Sequence, residues 1–292
     1  MDEESPMDSG PGERPSTRAQ RVAIERRFAS LMGHDDLTTD GVWEAERLLE
    51  ATLLIGAHAR PGEVDVEARL TDLRAMAACT DPPTLPSLVE WLFRELGFRG
   101  DTEDYGAPEN SYLDRVLDRR RGLPVTLAVL TVGVGRLAGI PARVVGMPGH
   151  VLVGDPLDRE VFIDVFAGGR SVSPAEARRI FETLHPPSTR FSPSYLQATP
   201  DRLTVTRVLA NLQEAHRRNR RHSALADVLR LRRHTGIGGR SLDTVLVKTL
   251  VRAGRFDEAA DELESMARLA ADDGSSTADM EAAAVRLRAR LN

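Results

Sequence analysis

The sequence has one cysteine, Cys79, and one lysine, Lys248. A lone thiol excludes an intrachain disulfide. The near-absence of lysine reads as codon usage and carries no functional weight. No run of about 18 apolar residues occurs, so no membrane-spanning helix is expected. The stretch "MDEESPMDSGPGERPSTRAQ" lacks the basic and apolar parts of a secretion signal. Its acidic, Pro-, Ser- and Gly-rich composition reads as a disordered lead-in over residues 1–20. With the single cysteine, this makes the cytoplasm the expected location. The formal net charge of −5 gives no strong global pull toward nucleic acid or anionic lipid. The seven histidines are scattered and form no ligand set, so no metal is expected. "GVGRLAG" is not a dinucleotide fingerprint and no phosphate-binding loop occurs, so no cofactor is expected.

What is present is ordinary globular protein. The 292 residues are 41% hydrophobic and 28% charged, enough for a core and for more than one domain. Residues 21–33 pattern as an amphipathic helix. Residues 40–58 pattern as a second, with Asp40 at its N-cap. A third runs through "VEARLTDLRAMAAC" and stops at the prolines of "TDPPTLPS". A fourth, "LPSLVEWLFRELG", ends at Gly97. "FRGDTEDYGAPENS" reads as a loop. "SYLDRVLDRRRG" is a short helix, with Asn110 as its cap. "LPVTLAVLTVGVGRLAG" is a longer one, apolar enough to be buried on most sides.

The pattern then changes. "ARVVGMP", "GHVLVGD" and "VFIDVFA" are short, rich in Val, Ile and Phe, and bounded by Gly, Pro and Asp, as strands are. Helices first, then a small antiparallel sheet with one central helix packed on it, make an α+β architecture. After a proline-punctuated stretch to about residue 200 the chain is helical again. "RHSALADVLRL" and "RFDEAADELESM" superimpose at an offset of 34 residues, Arg221 on Arg255 and Leu225 on Ala259, with Gly254 at a turn. That offset is the tetratricopeptide period. The expected division is a lead-in over 1–20, a first domain over 21–190 and a helical region over 200–292.

The segments "ELGFRGDTEDY", "NSYLDRVLDRRRGLPVTLAVL", "GIPARVVGMPGHVLV" and "FIDVFAGGRSVSPAE" follow one another in an order that resembles the SirB1-type transglutaminase-like family. The resemblance runs from roughly residue 45 to 270 and includes the C-terminal helices. It implies a papain-like fold. Active members of the wider superfamily use a Cys at the start of the central helix, with a His and an Asp on neighbouring strands. The helix N-terminus lowers the thiol's pKa and holds an oxyanion. The His takes the thiol proton and the Asp orients the His.

Carried onto this chain, the resemblance matches His150 to the His and Asp164 to the Asp. The nucleophile position holds Pro124. Proline has no reactive group, yet it suits the first position of a helix. Cys79 has no motif around it, and a buried apolar role is the usual one. Thr126, two residues into the helix, is the other candidate nucleophile. Its bland alternative is a bond to a backbone carbonyl or simple packing. His150 and Asp164 are expected as a hydrogen-bonded pair, kept either for chemistry or for folding. Asn110, Tyr112, Arg121, Gly122, Pro124 and Gly149 are the expected lining of the pocket. The run Arg119–Arg121 reads either as an anion site or as a solvated helix end.

The expectation for function is a pseudoenzyme that binds a protein or peptide partner. The rival is a peptidase, amidase or acyltransferase that uses His150 and Asp164, with Thr126 or water as nucleophile. Nucleic acid is a weak third: the basic run from 216 to 234 has no interleaved aromatics.

Overall fold

A computed structural model of the protein describes residues 17–33, 42–272 and 276–291. The chain opens with α1 (Thr17–Gly33), α2 (Ala45–Ala59) and α3 (Val66–Ala78). α1 begins inside the stretch expected to be a disordered lead-in, and residues 1–16 of that stretch lie outside the described residues. The expected cap Asp40 lies outside them too, and α2 starts at Ala45 behind an uncapped Glu44. α3 is capped by Asp65, whose carboxylate accepts from the Ala68 N–H at 3.0 Å. α4 (Leu85–Val89) runs into a π-helical turn, Glu90–Glu95, and Gly97 closes it in a left-handed conformation.

Next come β1 (Arg99–Gly100), a 3₁₀ turn at Pro108–Asn110, α5 (Leu113–Arg119) and β2 (Arg121–Gly122). β1 and β2 pair in parallel, Arg99 with Arg121 and Gly100 with Gly122. This pair lay inside stretches expected as loop and helix. Two residues per strand are too few to set up a period-two pattern. The helix ends where Arg120 turns left-handed, at φ 56°.

α6 (Pro124–Leu137) is the central helix, and its residues from Pro124 to Gly135 are buried. Its apolar surface runs all the way round, so it is packed on all sides. At Gly133 a Cβ would come within 2.4 to 2.9 Å of the Leu49 side chain, so glycine there lets α2 cross α6 closely.

The sheet follows as β3 (Arg143–Val145), β4 (Leu152–Asp155), β5 (Asp158–Asp164) and β6 (Arg170–Val172), antiparallel in that order. Register explains its two faces. Val144, Val153 and Ile163 align across three strands and enter the core shared with α6. Val145, Leu152, Phe162 and Val172 point the other way, onto Ala177 of α7 (Pro174–Leu184). α7 is started by a capping box, Ser173 with Glu176.

The C-terminal part is α8 (Asp201–Arg218), α9 (His222–Arg233), α10 (Gly239–Arg252), α11 (Phe256–Asp272) and α12 (Ala278–Arg288). Val205, Val208, Leu209 and Leu212 of α8 lie in the same core as α2 and α6. The core therefore has no break at residue 200, where the sequence suggested a boundary. The segment before α8 is held to the sheet too: the Thr199 N–H donates to the Val144 carbonyl at 2.8 Å and its hydroxyl accepts from the Gly146 N–H at 2.7 Å. A buried ion pair locks the joint. Asp201 accepts from both terminal nitrogens of Arg136 on α6, at 2.6 and 3.2 Å, and from the Trp43 N–H at 2.7 Å.

The turns α8–α9 and α10–α11 repeat at a 34-residue offset. Arg221 N–H bonds the His216 carbonyl as Arg255 N–H bonds that of Leu250, and Arg220 and Gly254 are both left-handed, at φ 51° and 73°. Leu225, Leu229, Leu242, Leu246 and Ala259 form a second core between these helices. Among the described residues no helix is long and apolar enough to cross a membrane.

Candidate functional site

The loop from β3 to β4 carries His150. Gly149 precedes it at φ +78°, a conformation that favours glycine, and the His150 N–H closes the turn onto the Met147 carbonyl at 3.1 Å. Asp164 is the last residue of β5. The antiparallel register brings the two together: His150 Nε2 lies 3.0 Å from Asp164 Oδ2. The other carboxylate oxygen accepts from the Phe166 and Ala167 N–H groups, at 3.1 and 3.0 Å. Burial alone would raise the Asp164 pKa. The bond and charge of His150, with the two backbone donors, outweigh it and hold the carboxyl below its ordinary value. With the carboxylate ionised, Nε2 carries the proton. In the neutral ring that leaves Nδ1 as the acceptor, and it has no protein partner among the described residues.

The start of α6 is built from the β1–β2 pair and the 3₁₀ turn. Leu123 is extended, and its N–H donates to the Asn110 carbonyl at 3.0 Å. Asn110 is fully buried; its amide donates to the Asp104 carbonyl at 2.7 Å and its oxygen accepts from Arg119 at 2.9 Å. Asn110 is thus not the cap of α5, a position held by Tyr112 without a side-chain bond. The 3₁₀ turn places Asn110 two residues too early and turns its side chain inward.

Arg119 also reaches Asp101 at 3.0 Å, and Asp101 Oδ1 accepts from the N–H groups of Glu103 and Asp104 at 3.2 and 3.1 Å. Burial works against the Asp101 charge, but these bonds prevail and lower its pKa. The sequence reading missed Asp101, although "DTED" carries the signature of an Asx turn.

The arginine run is not a free anion site. Arg119 is held as described, Arg120 donates to the Leu96 carbonyl, and Arg121 pairs with Glu103 at 2.6 Å. Arg121 therefore reaches outward to an exposed acid rather than lining a pocket.

One contact joins the helix start to the pair. Gly100 pairs with Gly122, and a Cβ at Gly100 would lie 2.6 Å from the Phe166 carbonyl and 2.5 Å from its ring. Phe166 is two residues beyond Asp164. Pro124 occupies the first position of α6 and is buried.

Thr126 is fully buried, and its hydroxyl has no hydrogen-bond partner. It bonds neither a carbonyl nor His150; it packs. Thr131, one turn further along α6, does make the carbonyl bond, to Leu127 at 2.8 Å. Tyr112 is buried and faces α8, its hydroxyl 3.0 Å from His216 Nε2, with the Arg60 guanidinium 4.6 Å over its ring. Burial raises its pKa. Cys79 is exposed at the end of α3, not buried as free cysteines usually are. Among the described residues no group of three or more His, Cys, Asp or Glu could hold a metal ion. An open apolar groove of about 580 Å³ lies elsewhere, among α10, α11 and α12.

Residues 63–210 match the family model described as the transglutaminase-like superfamily. The chain belongs to the transglutaminase-like superfamily. The match spans the β1–β2 pair, α6, the sheet and the first part of α8, and so includes Pro124, His150 and Asp164. A UPF0162 protein of Xylella fastidiosa (strain 9a5c) is 36% identical over 142 residues, 46% of this chain and 50% of the relative. One from Vibrio cholerae is 26% identical over 195 residues, 63% of this chain and 72% of the relative. Mouse F-box only protein 21 is 33% identical over 94 residues, 29% of this chain and 15% of that protein. The chain spans about half the length of the first of these curated relatives. No solved structure matches it.

Proposed function

We propose that this protein is a SirB1-type member of the superfamily that has no nucleophile of its own and works as a binding module for a peptide or protein segment. One observation carries the reading: the first position of α6 is Pro124, buried and without a reactive group, in a chain that keeps the His150–Asp164 pair. A superfamily active site needs a thiol at that helix start. The other hydroxyl in reach of the argument, Thr126, is sealed in the core with no base bonded to it. Binding needs none of this chemistry. It uses the polar atoms that remain on the face around His150. The repeat-like helices are the second part of the reading. The 34-residue recurrence of the α8–α9 and α10–α11 turns supports a tetratricopeptide-like arrangement. Stacked helix pairs of that kind present extended surfaces that bind segments of other proteins.

A second reading, a hydrolase or acyltransferase that activates water, is favoured by one specific feature. His150 Nδ1 is an acceptor with no protein partner among the described residues, as a general base would be. The experiment is a direct comparison of the wild type and His150→Ala. Both are exposed to acyl-directed activity probes and to peptide and amide substrates. No turnover in either protein is the expected result. Turnover by the wild type that disappears in the variant overturns the binding-module reading in favour of the enzyme.

A further inference from the structure

We propose that Arg207 is the ligand-recognising cation of the face beside His150, and that it takes a carboxylate of the bound peptide. The proposal rests on the reading that this face receives a peptide.

Arg207 lies on α8, and its Nη2 donates to two carbonyls of the loop that carries the imidazole: Met147 and His150 itself, both at 3.1 Å. The guanidinium is thereby fixed against the His150 turn. Its Nη1 lies near Gly146, where a Cβ would approach to 3.2 Å. Nη1 and Nε have no hydrogen-bond partner among the described residues. No Asp or Glu of the described residues forms an ion pair with Arg207, although it is part-buried. Two other part-buried guanidiniums of this core do have such partners. Arg119 has Asp101 and Arg136 has Asp201.

A part-buried guanidinium whose Nη1 and Nε have no protein partner keeps donors available to a ligand. Burial lowers the Arg207 pKa, and the Tyr105 side chain lies near enough to oppose that shift. Tyr105 also stacks edge-on against Phe166, with 5.7 Å between ring centres, and Phe166 donates to Asp164. Arg207, Tyr105, Phe166 and the His150–Asp164 pair therefore border one face. Tyr105 is about half exposed, an aromatic ring available to a ligand.

The missing partner is a monoanion. Arg207 brings one positive charge to the His150 turn, not the two or more that suit a phosphate dianion. A planar carboxylate matches the planar fork of an arginine. On a peptide it comes from the C-terminus or from an Asp or Glu side chain.

The test uses the full-length protein and two peptide pairs. The first is acetyl-trialanine as the free acid and as the C-terminal amide. The second is acetyl-Ala-Glu-Ala-amide and its Gln counterpart. Binding is read by perturbation of the His150 ring signals in NMR titrations. A free carboxylate on one member of a pair should tighten binding by about ten- to hundredfold over its neutral partner, the scale of one hydrogen-bonded charge pair. The pair that shows this identifies the source of the carboxylate. Arg207→Gln should remove the preference, and Arg207→Lys should keep part of it. The acid-to-amide ratio in the wild type decides the matter even where Arg207→Gln does not fold. Equal affinity for acid and amide in both pairs overturns the Arg207 proposal alone, and so does a preference that survives Arg207→Gln. Failure of all four peptides to perturb His150 overturns the peptide-face reading together with it.

Discussion

Replacing Asp164 by Asn changes one atom and isolates the pair. In the native carboxylate, Oδ1 accepts from Phe166 and Ala167, and Oδ2 accepts the Nε2 proton of His150 at 3.0 Å. An amide oxygen keeps the two backbone donors. The amide nitrogen then faces Nε2–H, donor against donor. His150 must move its proton to Nδ1 or lose the bond. The side chains of the pair are only 12% and 7% exposed, so water replaces little of what is lost. A hydrogen bond to a charged group contributes about 1.5–3 kcal/mol and a neutral one about 0.5–1.5, so Asp164→Asn should lose about 1–2 kcal/mol at neutral pH once the proton has moved to Nδ1.

The pH dependence supplies the sign. The folded-state pKa of Asp164 lies below the ordinary 3.8, so its stabilisation is present above that value and declines as pH falls through the folded pKa. Urea denaturation of wild type and variant should therefore show a gap at pH 7 that closes on acidification below about pH 3.8. Nitrogen NMR of the imidazole should show Nε2 protonated in the wild type and Nδ1 protonated in the variant. Equal stability at pH 7, or a gap that widens below that pH, refutes the reasoning.

Two further outcomes follow from the same packing. Gly100→Ala puts a methyl group 2.6 Å from the Phe166 carbonyl and should cost about 1–3 kcal/mol in urea denaturation, with a shift of the His150 signals; an unchanged midpoint contradicts the close approach. His58 is 1% exposed, and burial lowers its pKa to about 4. It stays neutral in the fold while the unfolded chain takes up a proton near pH 6.5. Stability should therefore fall between pH 6.5 and about 4 by roughly 3 kcal/mol, and His58→Leu should flatten that slope. A wild-type profile already flat across that window contradicts the burial.

The sequence was readable where one rule dominated. Val144, Val153 and Ile163 announced strands by β-branching, and the long apolar run after Pro124 announced a buried helix. β1, β2 and β6 were hidden because two or three residues show no period. Asn110 misled because a strong capping residue can serve a buried network instead, here with Asp104 and Arg119. Thr126 followed the plainer of its two readings, packing without a bond; a hydroxyl's direction depends on its helix's rotation, which no spacing argument supplied. Arg207 left no local signal: it sits 57 positions after His150, and only the packing of α8 brings it to the loop.

The central claim is that the start of α6 and the His150–Asp164 pair form an active-site frame lacking its sulfur. Installing the sulfur tests it. In a Cys79→Ala background, Pro124→Cys should give a thiol whose thiolate absorbance titrates well below the free-cysteine value of about 8.5. The pKa should move back up on adding His150→Ala. A thiol that titrates at or above the free value, and ignores the loss of His150, contradicts the account.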